Sequence, residues 1–208
     1  MKLYTYDPAP SPQRLAQFMK YKGIEIETQQ IDMMGGEHLS DEYRAIVPER
    51  TVPALVLDDG TVFAEVIGIC TYLEALYPEK PLFGSTPLEK GLVSSWDSKV
   101  LTMLFMAVAE ALRNSSPGFK GRALPGELDL EQIPALAERG KKRLMWGWEK
   151  FDKALADGRQ WLAGDNFSFA DIDLAVCAGF SGWVKCSPPE SLENLQAYLV
   201  RAQAEMGA

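Results

Sequence analysis

The stretch Thr51-Val52-Pro53-Ala54-Leu55-Val56-Leu57, followed by Asp58-Asp59-Gly60-Thr61 and then Phe63-Ala64-Glu65-Val66, decides how this chain folds. A proline stands at the head of an apolar strand, where its missing N–H removes a ladder bond. The strand turns at Asp59-Gly60 into a second strand, and that strand runs into a helix opening on the acidic Glu65. A cis Val52-Pro53 bond reconciles these features, because cis X-Pro is a tight-turn device. Such a turn leaves the main chain of Val52 free to pair with an extended peptide, as a sheet edge does.

Working outward, residues 1–77 alternate short strand and helix patterns, as βαβ units do. Lys2–Tyr6 alternates and stops at Asp7-Pro8. Pro12–Lys22 carries Leu15, Phe18, Met19 and Lys22 at helical spacing, with Gly23 as the stop signal. Ile24–Ile31 reads as a strand and Ser40–Ile46 as a short helix before Pro48. The paired strands of the deciding stretch and a helix from Glu65 to about Tyr77 complete an α/β thioredoxin-like lobe with a mixed four-stranded sheet. Residues 78–87 hold three prolines and a glycine and read as a linker. Residues 88–208 form an all-helical bundle lobe. A long helix runs from about Leu88 to Arg113, then a Gly/Pro-rich loop spans Ser115–Asp129. A second apolar stripe runs from Ile133 to Leu155, and further helices open at Ser168 and at Pro189-Glu190. Ser168-Phe169-Ala170-Asp171 is an N-terminal capping signature, flanked by Phe167 and Ile172 as a staple.

A net charge of −8 over 208 residues argues against nucleic acid or an anionic membrane as partner, since either needs a basic face. No apolar run approaches the ~20 residues of a membrane span. The first residues enter strand-like sequence without a signal-peptide core, so a cytoplasmic protein is expected. Cys70, Cys177 and Cys186 lie in no close-spaced motif, and His38 is the only histidine. That composition points away from a disulfide framework, a metal site or a histidine triad.

Four local patterns lie in order along the chain. Pro8-Ala9-Pro10-Ser11-Pro12 joins the first strand to the first helix. Ile46-Val47-Pro48-Glu49-Arg50-Thr51-Val52-Pro53 precedes the deciding strand, Ala64-Glu65-Val66-Ile67 follows it, and Trp161–Asp171 opens a helix in the second lobe. Together they resemble the cytosolic glutathione transferases over essentially the whole chain. The resemblance implies glutathione as co-substrate, its thiolate adding to a hydrophobic electrophile that enters between the lobes, and a homodimer engaged in detoxification. A non-catalytic binding or interaction protein on the same fold, or a glutathione-dependent isomerase or lyase, stands as the alternative.

Only a thiolate is a good nucleophile, and a free thiol has a pKa of about 8.5. Lowering it by ~2 units takes about 2.7 kcal/mol. A helix N-terminus gives roughly 0.3–2 kcal/mol and a hydrogen bond to a charge about 1.5–3 kcal/mol. Ser11, at the mouth of the first helix, is the candidate donor, with the helix-one amides facing the same anion. Equally, a serine before proline reads as an N-cap. Tyr6 at the end of the first strand is the rival donor, or else a half-buried strand aromatic; Tyr4 on the same face reads as packing. By resemblance Glu65 meets the α-ammonium of the γ-glutamyl group, while the next residue's N–H and hydroxyl hold its carboxylate. Serine is usual at that next position, and Val66 keeps the N–H but not the hydroxyl. Arg50 and His38 are candidates for the glycyl end, each with an exposed loop cation or histidine as its plain alternative. Val52 and Pro53 supply the main-chain edge.

Overall fold

Strands Lys2–Thr5 (β1), Glu27–Gln30 (β2), Ala54–Val56 (β3) and Val62–Phe63 (β4) pair in the order β2-β1-β3-β4. The β1–β2 pair is parallel, and the other two pairs are antiparallel. The sheet is therefore mixed, as the thioredoxin-like reading requires. The computed structural model describes residues 1–126 and 128–207. It divides into two compact units, Met1–Lys80 with Pro125–Leu128, and Pro81–Leu124 with Asp129–Ala208.

In the first unit, Tyr4, Ile31, Tyr43, Val47 and Ala54 form one apolar cluster. The first helix, Pro10–Lys22 (α1), begins two residues earlier than the periodicity suggests. Pro10 is accommodated at the first helical position, where an N–H has no intrahelical partner anyway. Its far end closes on Gly23, at φ 71°, whose neighbour Ile24 donates its N–H to Met19 O at 2.9 Å. Ile24 thus belongs to the helix stop and not to a strand, which is why β2 is shorter than Ile24–Ile31. Lys22 does occupy the inner face of α1, yet as a cation. Its side chain is fully buried, pairs with Glu74 at 2.7 Å, and donates to the carbonyls of Glu79 and Lys80 at 2.8 and 3.1 Å. Helices Asp41–Ile46 (α2) and Val66–Leu76 (α3) complete the unit.

In the second unit, Pro87–Lys99 (α4), a π-helical stretch Val100–Phe105 and Met106–Arg113 (α5) run as one helix, Pro87–Arg113. By length and composition this helix could cross a membrane, though Glu89, Lys90, Asp97, Lys99, Glu110 and Arg113 interrupt it and no unbroken apolar run in it reaches ~20 residues. Its buried Val93, Val100, Leu104, Ala107, Val108 and Ala111 give it the pattern of a core helix. Helix Pro134–Leu155 (α6) packs against it at close range. A Cβ at Gly140 would sit 2.6 Å from Ala107 O, and one at Gly147 would sit 2.5 Å from Leu104 Cδ2. At Gly140 the obstacle is backbone and only glycine allows this approach, whereas at Gly147 it is the end of the Leu104 side chain, which can shift. Helices Phe169–Ser181 (α7) and Glu193–Glu205 (α8) follow. The last helix begins after the expected Pro189-Glu190, because Leu192 N–H first closes a turn on Pro189 O at 3.1 Å.

The predicted capping motif at Ser168 carries much of this unit. Asp171 is fully buried and accepts four hydrogen bonds. They come from the N–H of Leu162 (2.8 Å), the hydroxyl of Tyr198, and the N–H (2.8 Å) and hydroxyl (2.6 Å) of Ser168. Phe167 and Ile172 are buried on either side.

Candidate functional site

Strand register gathers the candidate residues at one end of the sheet. Tyr4 faces Ala54 across β1 and β3, so continuing that register sets Tyr6 opposite Val52. Leu55 faces Phe63 across β3 and β4, and the same extension sets Glu65 opposite Pro53. Ser11 follows Tyr6 through the turn in which Ala9 N–H bonds Tyr6 O at 3.0 Å. Carried past the strand ends, these registers set Tyr6, Val52, Pro53, Glu65 and Val66 at one end of the sheet, and Ser11 follows Tyr6 by five residues.

The Val52-Pro53 bond is cis. Among the described residues neither the N–H nor the carbonyl of Val52 has a hydrogen-bond partner. Beside it, Arg50 takes a left-handed backbone, φ 54°, a conformation uncommon for a residue with a side chain. The Nε of Arg50 and the Oγ1 of Thr51 are both buried and without a partner. Buried polar atoms are nearly always paired, so two orphans flanking an unused peptide edge mark a place shaped for a polar ligand. The loop is held from behind. Tyr43 donates its hydroxyl to Thr51 O at 2.7 Å and packs edge-on against Tyr4. Burial, with Tyr4 and Glu37 nearby, pushes the Tyr43 phenol well above its ordinary range, so it remains a donor. Nothing in the sequence patterns singled out Tyr43.

At the mouth of α1 the N-cap is Ala9, so Ser11 is not the cap that its Ser-Pro pairing suggests. It lies within the first turn, half-buried. Pro10 and Pro12 have no N–H, and Gln13 N–H is taken by Ala9 O at 3.1 Å. The expected group of helix-one amides therefore reduces to one, that of Ser11. Among the described residues its N–H and hydroxyl both lack partners. The preceding loop is fixed by polar side chains that sequence reading passed over. Gln30 donates to Asp7 Oδ1 at 2.7 Å and accepts from Asp7 N–H at 3.2 Å, while Gln13 donates to Asp7 O and Pro8 O at 3.2 and 3.3 Å. Tyr6 is half-buried beside it.

Glu65 is the exposed N-cap residue of α3, its carboxylate free of any capping bond. Val66, by contrast, is only 5% exposed. Its side chain turns into the core and leaves the N–H as what this residue can offer a ligand. His38 is 8% exposed and sits in the 3-10 turn Glu37–Leu39, so its reading as an exposed loop histidine is wrong: the turn folds it inward. Among the described residues no three His, Cys, Asp or Glu side chains are grouped to hold a metal ion. The site presents one anion, a main-chain donor–acceptor pair and several unmatched donors. A peptide carrying both an ammonium and carboxylates fits that inventory.

Comparison with known proteins points the same way. The profile of the glutathione S-transferase N-terminal domain matches residues 3–81, and that of the C-terminal domain matches residues 103–205. Glutathione S-transferase 2 of Saccharomyces cerevisiae is 34% identical over 97% of this chain and 86% of its own length. Maleylacetoacetate isomerase of Pseudomonas aeruginosa is 36% identical over 43% of each chain. The crystal structure of a glutathione S-transferase domain-containing protein from Marinobacter aquaeolei superposes with a TM-score of 0.89. It covers 98% of both chains at 29% identity.

Proposed function

This chain belongs to the glutathione S-transferase family, and on that premise we propose that it joins the glutathione thiolate to a hydrophobic electrophile. Glutathione lies extended along Val52-Pro53, pairing with the Val52 main chain. Its α-ammonium meets Glu65 and its γ-glutamyl carboxylate the Val66 N–H. Arg50 and Thr51 face the glycyl end, with His38 behind them. Sulfur rests near Ser11, whose hydroxyl donates to the thiolate and is joined by the one amide of that turn; Tyr6 is the alternative donor. As the C–S bond forms, the leaving group departs with its electron pair, and the thiol proton has already passed to solvent. No metal takes part. A homodimer, a cytoplasmic location and a role in detoxification complete the reading.

The unused peptide edge at Val52, bordered by two orphaned polar atoms, is the observation that carries it. The test is retention on immobilised glutathione together with turnover of an aromatic halide. Retention with chloride release is expected; failure of both would refute the reading. A glutathione-dependent isomerase is the second reading, favoured by the similarity to maleylacetoacetate isomerase. It predicts turnover in which glutathione is not consumed.

A further inference from the structure

The end of α6, the turn that follows it and one face of α8 frame an open cavity of about 350 Å³. Its walls all belong to the helical unit, and its size lies at the small end of the ~300–1,000 Å³ usual for ligand pockets. Leu155 comes from α6, and Arg159 and Gln160 come from the turn. Asn194, Ala197 and Arg201 stand three and four residues apart on α8, which is why they share a face. Leu155 and Ala197 give the cavity an apolar wall, and two guanidinium groups and two amides give it a polar one.

The two arginines are held differently. Arg159 wraps Asp157, donating through Nε to both carboxylate oxygens at 3.0 Å and through Nη2 to Oδ2, while its Nη1 bonds Leu162 O at 3.1 Å. Those side-chain bonds hold the Asp157 carboxyl down at about 2, so this pair is charged on both sides and cancels. Arg201 is half-buried and donates only to a neutral carbonyl, Gln160 O, through Nε at 3.2 Å and Nη2 at 3.0 Å. Among the described residues it pairs with no carboxylate. Three of its five N–H donors are left over. Its guanidinium lies 5.6 Å from the centres of both the Trp161 and the Tyr198 ring, and these cation–π contacts fix the fork in place without spending its charge. Asn194 gives one amide N–H to Asp152 at 3.2 Å and keeps a second. The cavity therefore carries one unanswered positive charge on a preorganised fork, beside a spare amide donor and an apolar wall. A planar carboxylate of single charge matches the fork two bonds at a time. A phosphate monoester, with close to two negative charges, brings an excess that faces Asp157.

We propose that Arg201, with Asn194 and the Leu155–Ala197 wall, forms a binding site in the helical unit for the carboxylate of a small aromatic or aliphatic monoacid. Calorimetry on the full-length protein reads this site without turnover, so its outcome is independent of the transferase reading. The probes are benzoate, its neutral analogue benzamide, and phenyl phosphate. Wild type is expected to bind benzoate at least about tenfold more tightly than benzamide, the size of one charge-assisted bond, and more tightly than phenyl phosphate. Arg201→Gln should weaken benzoate about tenfold and leave benzamide unmoved. Ala197→Phe, at an exposed position of α8, fills the cavity while keeping Arg201, and should weaken both ligands. Equal affinity of wild type for benzoate and benzamide, or benzoate binding unaltered by Ala197→Phe, overturns the site whatever Arg201→Gln does to folding. A preference for phenyl phosphate overturns the carboxylate assignment.

Discussion

Asp171 in the helical unit and the Val52-Pro53 edge in the first unit treat polar groups in opposite ways. Asp171 is fully buried, and both carboxylate oxygens are saturated by two donors each. Burial pushes its pKa up while the four donors oppose it. At the edge, Val52 keeps its main chain unpaired, and Arg50 Nε and Thr51 Oγ1 are buried with no partner. An internal hub that satisfies every atom contributes to folding, whereas an edge that leaves atoms waiting has its stability completed by a ligand. The contrast predicts that substitutions at the first place act on folding and those at the second on chemistry.

The largest effect is expected from Asp171→Ala. Four buried donors from three segments lose their acceptor at once, which typically costs about 3–5 kcal/mol. Urea unfolding should show most of the protein's stability gone, with activity lost only in proportion to the unfolded fraction. A variant that folds normally yet fails to turn over would break the contrast from the structural side.

Ser11→Ala tests the other half. Because Ala9 and not Ser11 caps α1, removal of the hydroxyl should leave unfolding within about 0.5 kcal/mol of wild type. Losing a donor to a thiolate should lower kcat/KM by roughly tenfold to a hundredfold. The bound thiol should also titrate at higher pH, visible in the thiolate ultraviolet absorbance. Unchanged kinetics would move the role to Tyr6.

The sequence made the two-lobed order, the mixed sheet and the Ser168–Asp171 capping motif readable because each follows from short-range periodicity, turn residues or fixed spacing. The cis proline could be anticipated because a proline at the head of a central strand has few other solutions. What escaped was long-range or geometric. Spacing sets Lys22 on the same face as Leu15, Phe18 and Met19, but periodicity reports which face is buried and not what the face holds; its partner Glu74 lies 52 positions on. The start of α1 was misplaced by two residues, because Ser-Pro satisfies the cap rule as well as Ala-Pro satisfies the geometry. With that shift the proline pair strips the helix mouth of amides. Tyr43, Gln13 and Gln30 fix the site from outside any motif. The π-helical stretch leaves no signature in composition at all.

Val66→Ser sharpens the contrast at its border, since Val66 stands beside the ligand edge but turns its side chain inward. A hydroxyl there replaces buried methyl groups without an evident partner, and should cost about 1–2 kcal/mol in unfolding. The KM for glutathione should hold, because the N–H that serves the ligand is unaltered. A severalfold fall in KM at full stability would show instead that this side chain faces the tripeptide.

The smallest expected effect concerns Glu110, which behaves like Asp171 in a wetter setting. Burial works to raise its pKa, but the hydrogen bonds and charges of Arg139 and Arg143 win and hold it below the ordinary 4.5. Through Arg143, which also donates to Thr102 O at 2.8 Å, it ties α6 to the π-helical stretch. A depressed carboxylate contributes stability that is present in full above its unfolded pKa and is lost as the pH falls through its folded value. Wild type should therefore lose more stability than Glu110→Gln on acidification below about pH 4.5. The difference should be at most ~1 kcal/mol, because Arg139 is well exposed and solvent screens the pair. High salt should shrink it further. If Glu110→Gln instead abolished folding, this clamp would belong with Asp171 among the hubs, and the helical unit would have two points of failure where the geometry shows one.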